Sequence, residues 1–383
     1  MFQNCIHWSN LFSLGHKGGL GVKLQNELGR PIQIRHHCLA HRFDLITDNA
    51  MEKFSIFNYF DSAMRSLYSF YSVSHKRLNS LKEFLKAIHM PKFRLGAIFN
   101  VRWIASFRSA VAKVKNNFYP LVEHFNYILN NLNEFVKDRK DAFKLKVETM
   151  KDFLTNKFAM SLLHFNYDIL DRFSVESVYT QRKGSTLIGA GRRKKKLINK
   201  LKSIKLGKGT EFENFLADCN CFWTLKQATA FVNGRGNPRP CSDLAAYERN
   251  PFIVYKNIIM KNTGLMDEST NQLKYTKLSE YMGPYVDELI QQIENYLPSD
   301  EVLKFDPLDQ RVWQLTRWKI PSIKALAEVF KMDQDLIQQQ FIALVKDIML
   351  GNWRVGDIHC HLSFNWGICN YFIILVVLQA QSK

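Results

Sequence analysis

Ile32-Gln33-Ile34-Arg35-His36-His37-Cys38-Leu39-Ala40-His41-Arg42-Phe43-Asp44-Leu45 is the stretch on which the reading of the fold turns. Its opening alternates apolar and polar residues, the period of a half-buried strand, and its end has the make-up of a helix's first turns. A Cys-x-x-His step, Cys38 and His41, stands at the join. The strand gives way here to a helical pattern that continues downstream.

Working outward, the downstream side is helical by pattern from Leu39 to about Phe173. Phe54, Phe57 and Tyr59-Phe60 recur at helical spacing, as do Leu78, Leu81 and Leu85, then Phe118, Leu121-Val122 and Phe125. Pro91 separates one helix from the next element, and Pro120 stands where a helix can restart. Helices with this much phenylalanine on one face pack on other helices. The composition agrees: 46% of the 383 residues are apolar, with 29 Phe, 14 Tyr and 7 Trp against 18 Gly and 10 Pro. Such a chain buries a sizeable core and is not low-complexity or disordered.

The net charge of +18 is unevenly spread. Between Glu176 and Glu211 there is no acid, yet the segment holds Arg182, Lys183, Arg192, Arg193, Lys194, Lys195, Lys196, Lys200, Lys202, Lys205 and Lys208. A second acid-free window runs from Phe84 to Val122. Acid-free basic runs suit polyphosphate partners, because each neutralised phosphate releases counterions. A solvated surface or an import signal would have the same composition. Arg182-Lys183, a spacer and Arg192–Lys196 have the form of a bipartite nuclear import signal, so a nuclear location is expected.

The cysteines, Cys5, Cys38, Cys219, Cys221, Cys241, Cys360 and Cys369, are odd in number and irregular in spacing. They read as reduced thiols of a reducing compartment and not as a disulfide framework. The first residues lack the basic and apolar regions of a signal peptide. The apolar run Tyr371–Leu378 is too short to span a bilayer, which takes about 20 residues. No membrane partner is expected, and no cofactor.

Gly184-Ser185, Gly189-Ala190-Gly191 and Gly207-Lys208-Gly209 flank the basic run, so residues 176–212 read as a basic, glycine-containing linker in which no long helix forms. Helical patterning resumes over 213–300, interrupted by a loop at Asn233-Gly234-Arg235-Gly236-Asn237-Pro238-Arg239-Pro240.

Three segments, in order and spacing, resemble the hAT family of DNA transposases and the host genes derived from them. These are the His37-Cys38-Leu39-Ala40-His41-Arg42-Phe43-Asp44-Leu45 step, the aromatic segment Leu67–Leu81 with Ser74-His75-Lys76-Arg77 in it, and Arg102-Trp103-Ile104-Ala105-Ser106. Leu14–Leu24 resembles the family's loop-to-helix segment before the strand. Tyr285–Pro298, Phe305-Asp306-Pro307-Leu308 and Ile323–Phe330 resemble the segments by which the chain returns to the core. The resemblance implies a mainly α fold: the helical insertion domain of a hAT transposase attached to remnants of an RNase H-like α/β core. It divides the chain into a core remnant at 1–37, the insertion domain's first half at 38–175, the linker at 176–212, its second half at 213–300, a return to the core at 301–355, and an atypical apolar tail at 356–383. It also implies truncation at both ends, and the family's C-terminal dimerisation segment is not recognisable.

In the family, acidic residues of the core hold catalytic divalent metal. Alignment on Leu14-Gly15 puts Trp8 where the second acid belongs, and the first has no counterpart. A hard cation takes oxygen ligands, which indole lacks. The resemblance therefore implies a catalytically silent nuclear protein that binds nucleic acid non-specifically, protein partners, or both. Two alternatives remain beside it: a SUMO E3 ligase-type protein, as described for a similar vertebrate hAT-derived group, which would dock a SUMO-conjugating enzyme, and a non-functional transposon-derived fragment.

The candidate nucleic-acid contacts are Arg102, Trp103, Arg192, Arg193, Lys194, Lys195 and Lys196. Indole stacks on unpaired bases, and in the resembling transposases this Trp acts near the DNA end; the alternative is a buried Trp that anchors a helix. Cys38 and His41 have zinc-ligand chemistry, but a structural zinc site takes four ligands and no second pair stands at suitable spacing. They read as a structural motif that joins strand to helix, and no metal site is expected.

Overall fold

Apolar residues at helical spacing do fold as helices from Leu39 onward. The computed structural model describes residues 39–91, 93, 95–96, 103–181, 187–261, 265–267, 272–275 and 277–297, with short pieces between 322 and 342. The expected core remnant at 1–37, most of the return at 301–355 and the tail at 356–383 lie outside the described residues.

Among the described residues eight helices come first: α1 (Leu39–Glu52), α2 (Ser55–Ser72), α3 (His75–Ala87), α4 (Trp103–Asn116), α5 (Phe118–Asn130), the short α6 (Leu132–Phe135), α7 (Lys140–Thr155) and α8 (Lys157–Gln181). Pro120 sits in the first turn of α5, where its missing N–H leaves no bond unmade. The fold is mainly α, as expected. The chain divides into two compact units, Met1–Ser177 with Ile198–Ile293, and Val178–Leu197 with Glu294–Lys383.

In the first unit the core is aromatic. Phe60 lies 5.8 Å from Phe107 and 6.1 Å from Phe153, and Phe70 lies 5.6 Å from Phe125. Phe57 stacks on Tyr285 of α13 (Ser279–Tyr296) at 3.9 Å. Helix α8 runs through this packing: every residue from Lys157 to Asn166 is buried. A helix apolar on all sides belongs in a core. Its polar members must then find partners within the protein, since an unpaired buried donor or acceptor costs about 1–3 kcal/mol.

The expectation of continued helices over 213–300 is only half right. After α9 (Leu187–Lys205) and α10 (Thr210–Asp218), the chain forms β1 (Asn220–Phe222), α11 (Leu225–Val232), α12 (Leu244–Arg249), β2 (Phe252–Tyr255) and β3 (Ile258–Lys261). The three strands form one antiparallel sheet in the order β1-β2-β3, with Cys221 opposite Ile253 and Val254 opposite Ile259. A separate pair, β4 (Leu265–Asp267) and β5 (Gln272–Tyr275), follows. The β-branched and aromatic runs Phe252–Tyr255 and Ile258-Ile259 favour strands, and hydrophobicity alone does not distinguish them from a short helix. Lys256 and Asn257 turn the hairpin with φ of 47° and 62°, the left-handed pair that a two-residue turn needs. The loop at 233–240 is irregular, as its glycines and prolines predict.

The linker reading of 176–212 is corrected. Residues up to Gln181 belong to α8, and α9 covers Leu187–Lys205. Gly189 and Gly191 lie inside α9 and are buried with Ala190. Gly in a helix costs about 0.5–1 kcal/mol relative to Ala, a penalty that close packing can offset. Gly207 does act as a breaker. It sits at φ +76°, with Gly207 N–H on the Ile204 carbonyl (2.9 Å) and Lys208 N–H on the Ser203 carbonyl (3.1 Å), a Schellman ending.

The cysteine reading is corrected as well. Cys221 and Cys241 form a disulfide, their Cα atoms 5.5 Å apart, while Cys219 is a buried free thiol. The chain returns on itself between them. Cys221 N–H donates to the Arg239 carbonyl (2.8 Å) and Cys241 N–H to the Cys219 carbonyl (2.9 Å). That return brings together two residues 20 apart in sequence, which spacing alone does not reveal. Among the described residues no helix is long and apolar enough to cross a membrane.

Candidate nucleic-acid interface

Helix α9 is the basic run folded up. Ala190, Leu197, Leu201 and Ile204 are buried, and at 100° per residue they fall on one face. Lys195, Lys196, Lys200 and Lys202 are exposed and fall on the other. Lys202 and Lys205 in the last turn also suit the negative end of the helix dipole. No acid occurs in the sequence from Ser177 to Thr210, so no carboxylate on α9 itself offsets these ammonium groups.

The structure separates the five bases taken together from the sequence. Lys195 and Lys196 are exposed; Arg192 and Arg193 are half-buried, with the Arg193 guanidinium 4.3 Å over the Tyr179 ring. Lys194 is 4% exposed and ion-paired with Glu294. It faces the apolar side of α9 and serves the fold, so it is corrected as a phosphate contact. Lys205 likewise bonds both oxygens of Asp287, at 2.8 and 2.7 Å. The spacing did not show this, because a run of consecutive bases visits every face of a helix.

The other expected site residues are distributed differently. Arg102 and Cys38 lie outside the described residues. Trp103 opens α4, and nothing of its side chain is described. His41 is exposed in the first turn of α1. Among the described residues no group of three or more His, Cys, Asp or Glu side chains is placed to hold a metal ion. The first and third marker segments do meet: Asp44 Oδ1 accepts the Ile104 N–H at 3.3 Å. A carboxylate of α1 thus satisfies one of the orphan donors at the start of α4. Burial raises the Asp44 carboxyl pKa, against the opposing effect of this bond.

The aromatic marker segment also serves the core. Phe70 and Tyr71 are buried, Ser74 caps α3 by accepting the Arg77 N–H (3.4 Å), and the Arg77 guanidinium lies 4.3 Å over Phe70. The segment also contributes Tyr71 and Ser80 to a trio with His124 that the sequence did not suggest. His124 Nδ1 is 3.0 Å from the Tyr71 hydroxyl, and its Nε2 is 3.1 Å from the Ser80 hydroxyl. Burial lowers the His124 pKa to about 4, so the ring is neutral at pH 7. Serine beside histidine suggests a nucleophile. However, Ser80 sits mid-helix in α3, where backbone N–H groups are already bonded and none is free for an oxyanion. The trio is a polar clamp that joins α2, α3 and α5.

Two further buried groups were missed. Lys157 Nζ, at the start of α8, donates to the carbonyls of Tyr247 (2.9 Å), Glu248 (3.0 Å) and Asn250 (2.7 Å). It thereby closes the C-terminal end of α12, and burial lowers its pKa to about 8. Asp168 accepts the Glu211 and Phe212 N–H groups at 3.1 and 2.9 Å and so caps α10. A lone Lys or Asp in an apolar stretch is the only sequence signal of either. Lys196, Lys200 and Lys202 on α9, by contrast, remain exposed. No protein-family model and no solved structure matches the chain.

Proposed function

We propose that this chain is a hAT transposase-derived nuclear protein, without metal-dependent strand-transfer chemistry, that holds nucleic acid through phosphate contacts on the exposed face of α9. The observation that carries the reading is the sorting of charge on that helix. Lys194 and Lys205 are paired with acids, whereas Lys196, Lys200 and Lys202 point outward from an acid-free segment. Phosphate contacts position a protein without reading sequence, so binding is nearly sequence-blind. The resemblance of the three marker segments supports the family origin, and Trp8 in the place of an acid supports the loss of metal chemistry.

The test is duplex binding followed across a salt series. Log affinity falls against log salt by about 0.9 per phosphate neutralised. Replacing these three lysines with Ala flattens that slope and weakens every duplex alike. Tight, salt-insensitive binding to one sequence, or magnesium-dependent cleavage of DNA by the purified chain, defeats the reading.

A further inference from the structure

The segment from β1 through the 233–240 loop presents a second surface, separate from α9. Phe222 turns inward and packs with Ala228 and Val254, its ring 5.3 Å from Phe231. The next residue, Trp223, turns outward and is 58% exposed, and Leu225 beyond it is 52% exposed. Single exposed apolar residues are ordinary on protein surfaces, so exposure alone says little. Here three further observations accompany it.

First, the backbone around Trp223 is held. Thr224 caps α11 in a reciprocal capping box with Gln227, which fixes the chain just after the indole, and the pairing of Phe222 with Phe252 fixes it just before. Second, the loop is tied down at both ends. Arg235 N–H donates to the Ala230 carbonyl (2.8 Å) at the end of α11. Arg239 N–H donates to Asn220 Oδ1 (2.9 Å), and its carbonyl accepts from Cys221 (2.8 Å) on β1. A Cβ on Gly236 would lie 3.0 Å from the Phe231 nitrogen, so the loop lies against α11, and the Cys221–Cys241 disulfide closes the segment. Third, the charge has one sign. Between Asp218 and Asp243 the sequence has no acid, and its bases are Lys226, Arg235 and Arg239, all exposed. None of the three forms an ion pair among the described residues.

We infer that Trp223, with Lys226, Arg235 and Arg239, is a stacking platform for single-stranded nucleic acid. An exposed indole takes the flat face of any base, and guanidinium groups carried on a held backbone take the phosphates, which is the pairing that sequence-tolerant single-strand binders use. A duplex offers the phosphates but keeps its base faces stacked, so the indole favours the single strand. A second copy of this surface would bring like charges together. An acidic peptide would satisfy the cations but has no base to cover the ring. The surface is independent of α9, so either reading can fail alone.

The experiment uses the full chain and three fluorescent probes: a 12-nucleotide oligo-dT, an abasic strand of the same length and charge, and a 12-base-pair duplex. Trp223→Ala is expected to weaken oligo-dT binding by at least about fivefold. Abasic-strand and duplex binding should stay within twofold, with the melting temperature unchanged; Trp223→Phe should retain most of the oligo-dT affinity. Arg235→Ala with Arg239→Ala should weaken both single strands. If Trp223→Ala leaves oligo-dT binding intact, or weakens all three probes equally, the platform is wrong. It is equally wrong if the variant instead abolishes self-association or capture of a poly-glutamate peptide. If Lys196, Lys200 and Lys202 of α9 prove irrelevant to duplex binding while oligo-dT binding still depends on Trp223, the Proposed function fails and the platform stands.

Discussion

Helices α8 and α9 follow one another in sequence and treat their polar residues in opposite ways. α8 is buried on every side over its first turns, and Lys157 and Asp168 are each absorbed by the end of another helix. α9 buries one face only, so its lysines divide between partners inside the protein and solvent outside. A charged residue is available to a ligand when the fold leaves it nothing to neutralise. Residue type does not decide this; position around the helix axis does.

The largest expected effect tests the buried side of that contrast. Lys157→Ala leaves three carbonyls at the end of α12 without their donor, and stability should fall by about 3–5 kcal/mol in a denaturant titration. A loss below about 1 kcal/mol would show that water replaces the ammonium and that α8 is less sealed than described.

Next in size is a pH effect. The folded-state pKa of His124 is about 4, below the ordinary value of 6.5. Between these values the unfolded chain takes up a proton that the folded chain refuses. The stability due to neutral His124 is therefore fully present above about pH 6.5 and is lost as pH falls toward 4, by up to about 3 kcal/mol. His124→Gln should flatten melting temperature over that window. An unchanged pH profile in the variant would assign the acid sensitivity elsewhere, with His164 the next group to test, since burial lowers its pKa to about 3.

Removing the α10 cap is a smaller perturbation. Asp168→Ala should cost about 1–2 kcal/mol, the ordinary worth of a capping side chain. The smallest stability effect belongs to the open face of α9: Lys196→Ala and Lys200→Ala should each stay within about 0.5 kcal/mol while duplex affinity drops. Lys194→Ala sharpens the comparison within a single helix. It should reduce stability measurably, by less than a fully buried pair because Glu294 is 55% exposed, and leave the salt slope unchanged. The opposite result, a lost salt slope with stability kept, would return Lys194 to the ligand face.

Reading the residues in order recovered much of the helical half. The phenylalanine spacing around Phe57, Phe60 and Phe125 was enough, because a repeating apolar face is a local property of the chain. The sheet was not legible in the same way: Phe252–Tyr255 is four residues long, too short for its period to tell strand from helix, and besides its hairpin partner Ile258–Lys261 it pairs with Asn220–Phe222, about thirty residues earlier. Gly189 and Gly191 misled for a related reason. Their propensity argues against a helix, and close packing overrides it.

By itself the sequence determined the helical class, the breaks at Pro91 and Gly207, and the two acid-free windows, between Glu176 and Glu211 and from Phe84 to Val122. Each is settled by neighbours within a few turns. The tertiary structure decided which lysines are structural, that Cys221 meets Cys241, that His124 is clamped between Tyr71 and Ser80, and that Trp223 faces outward while Phe222 faces in. Those depend on contacts between residues far apart in the chain, and partner, burial and charge state come into being only when the chain closes on itself.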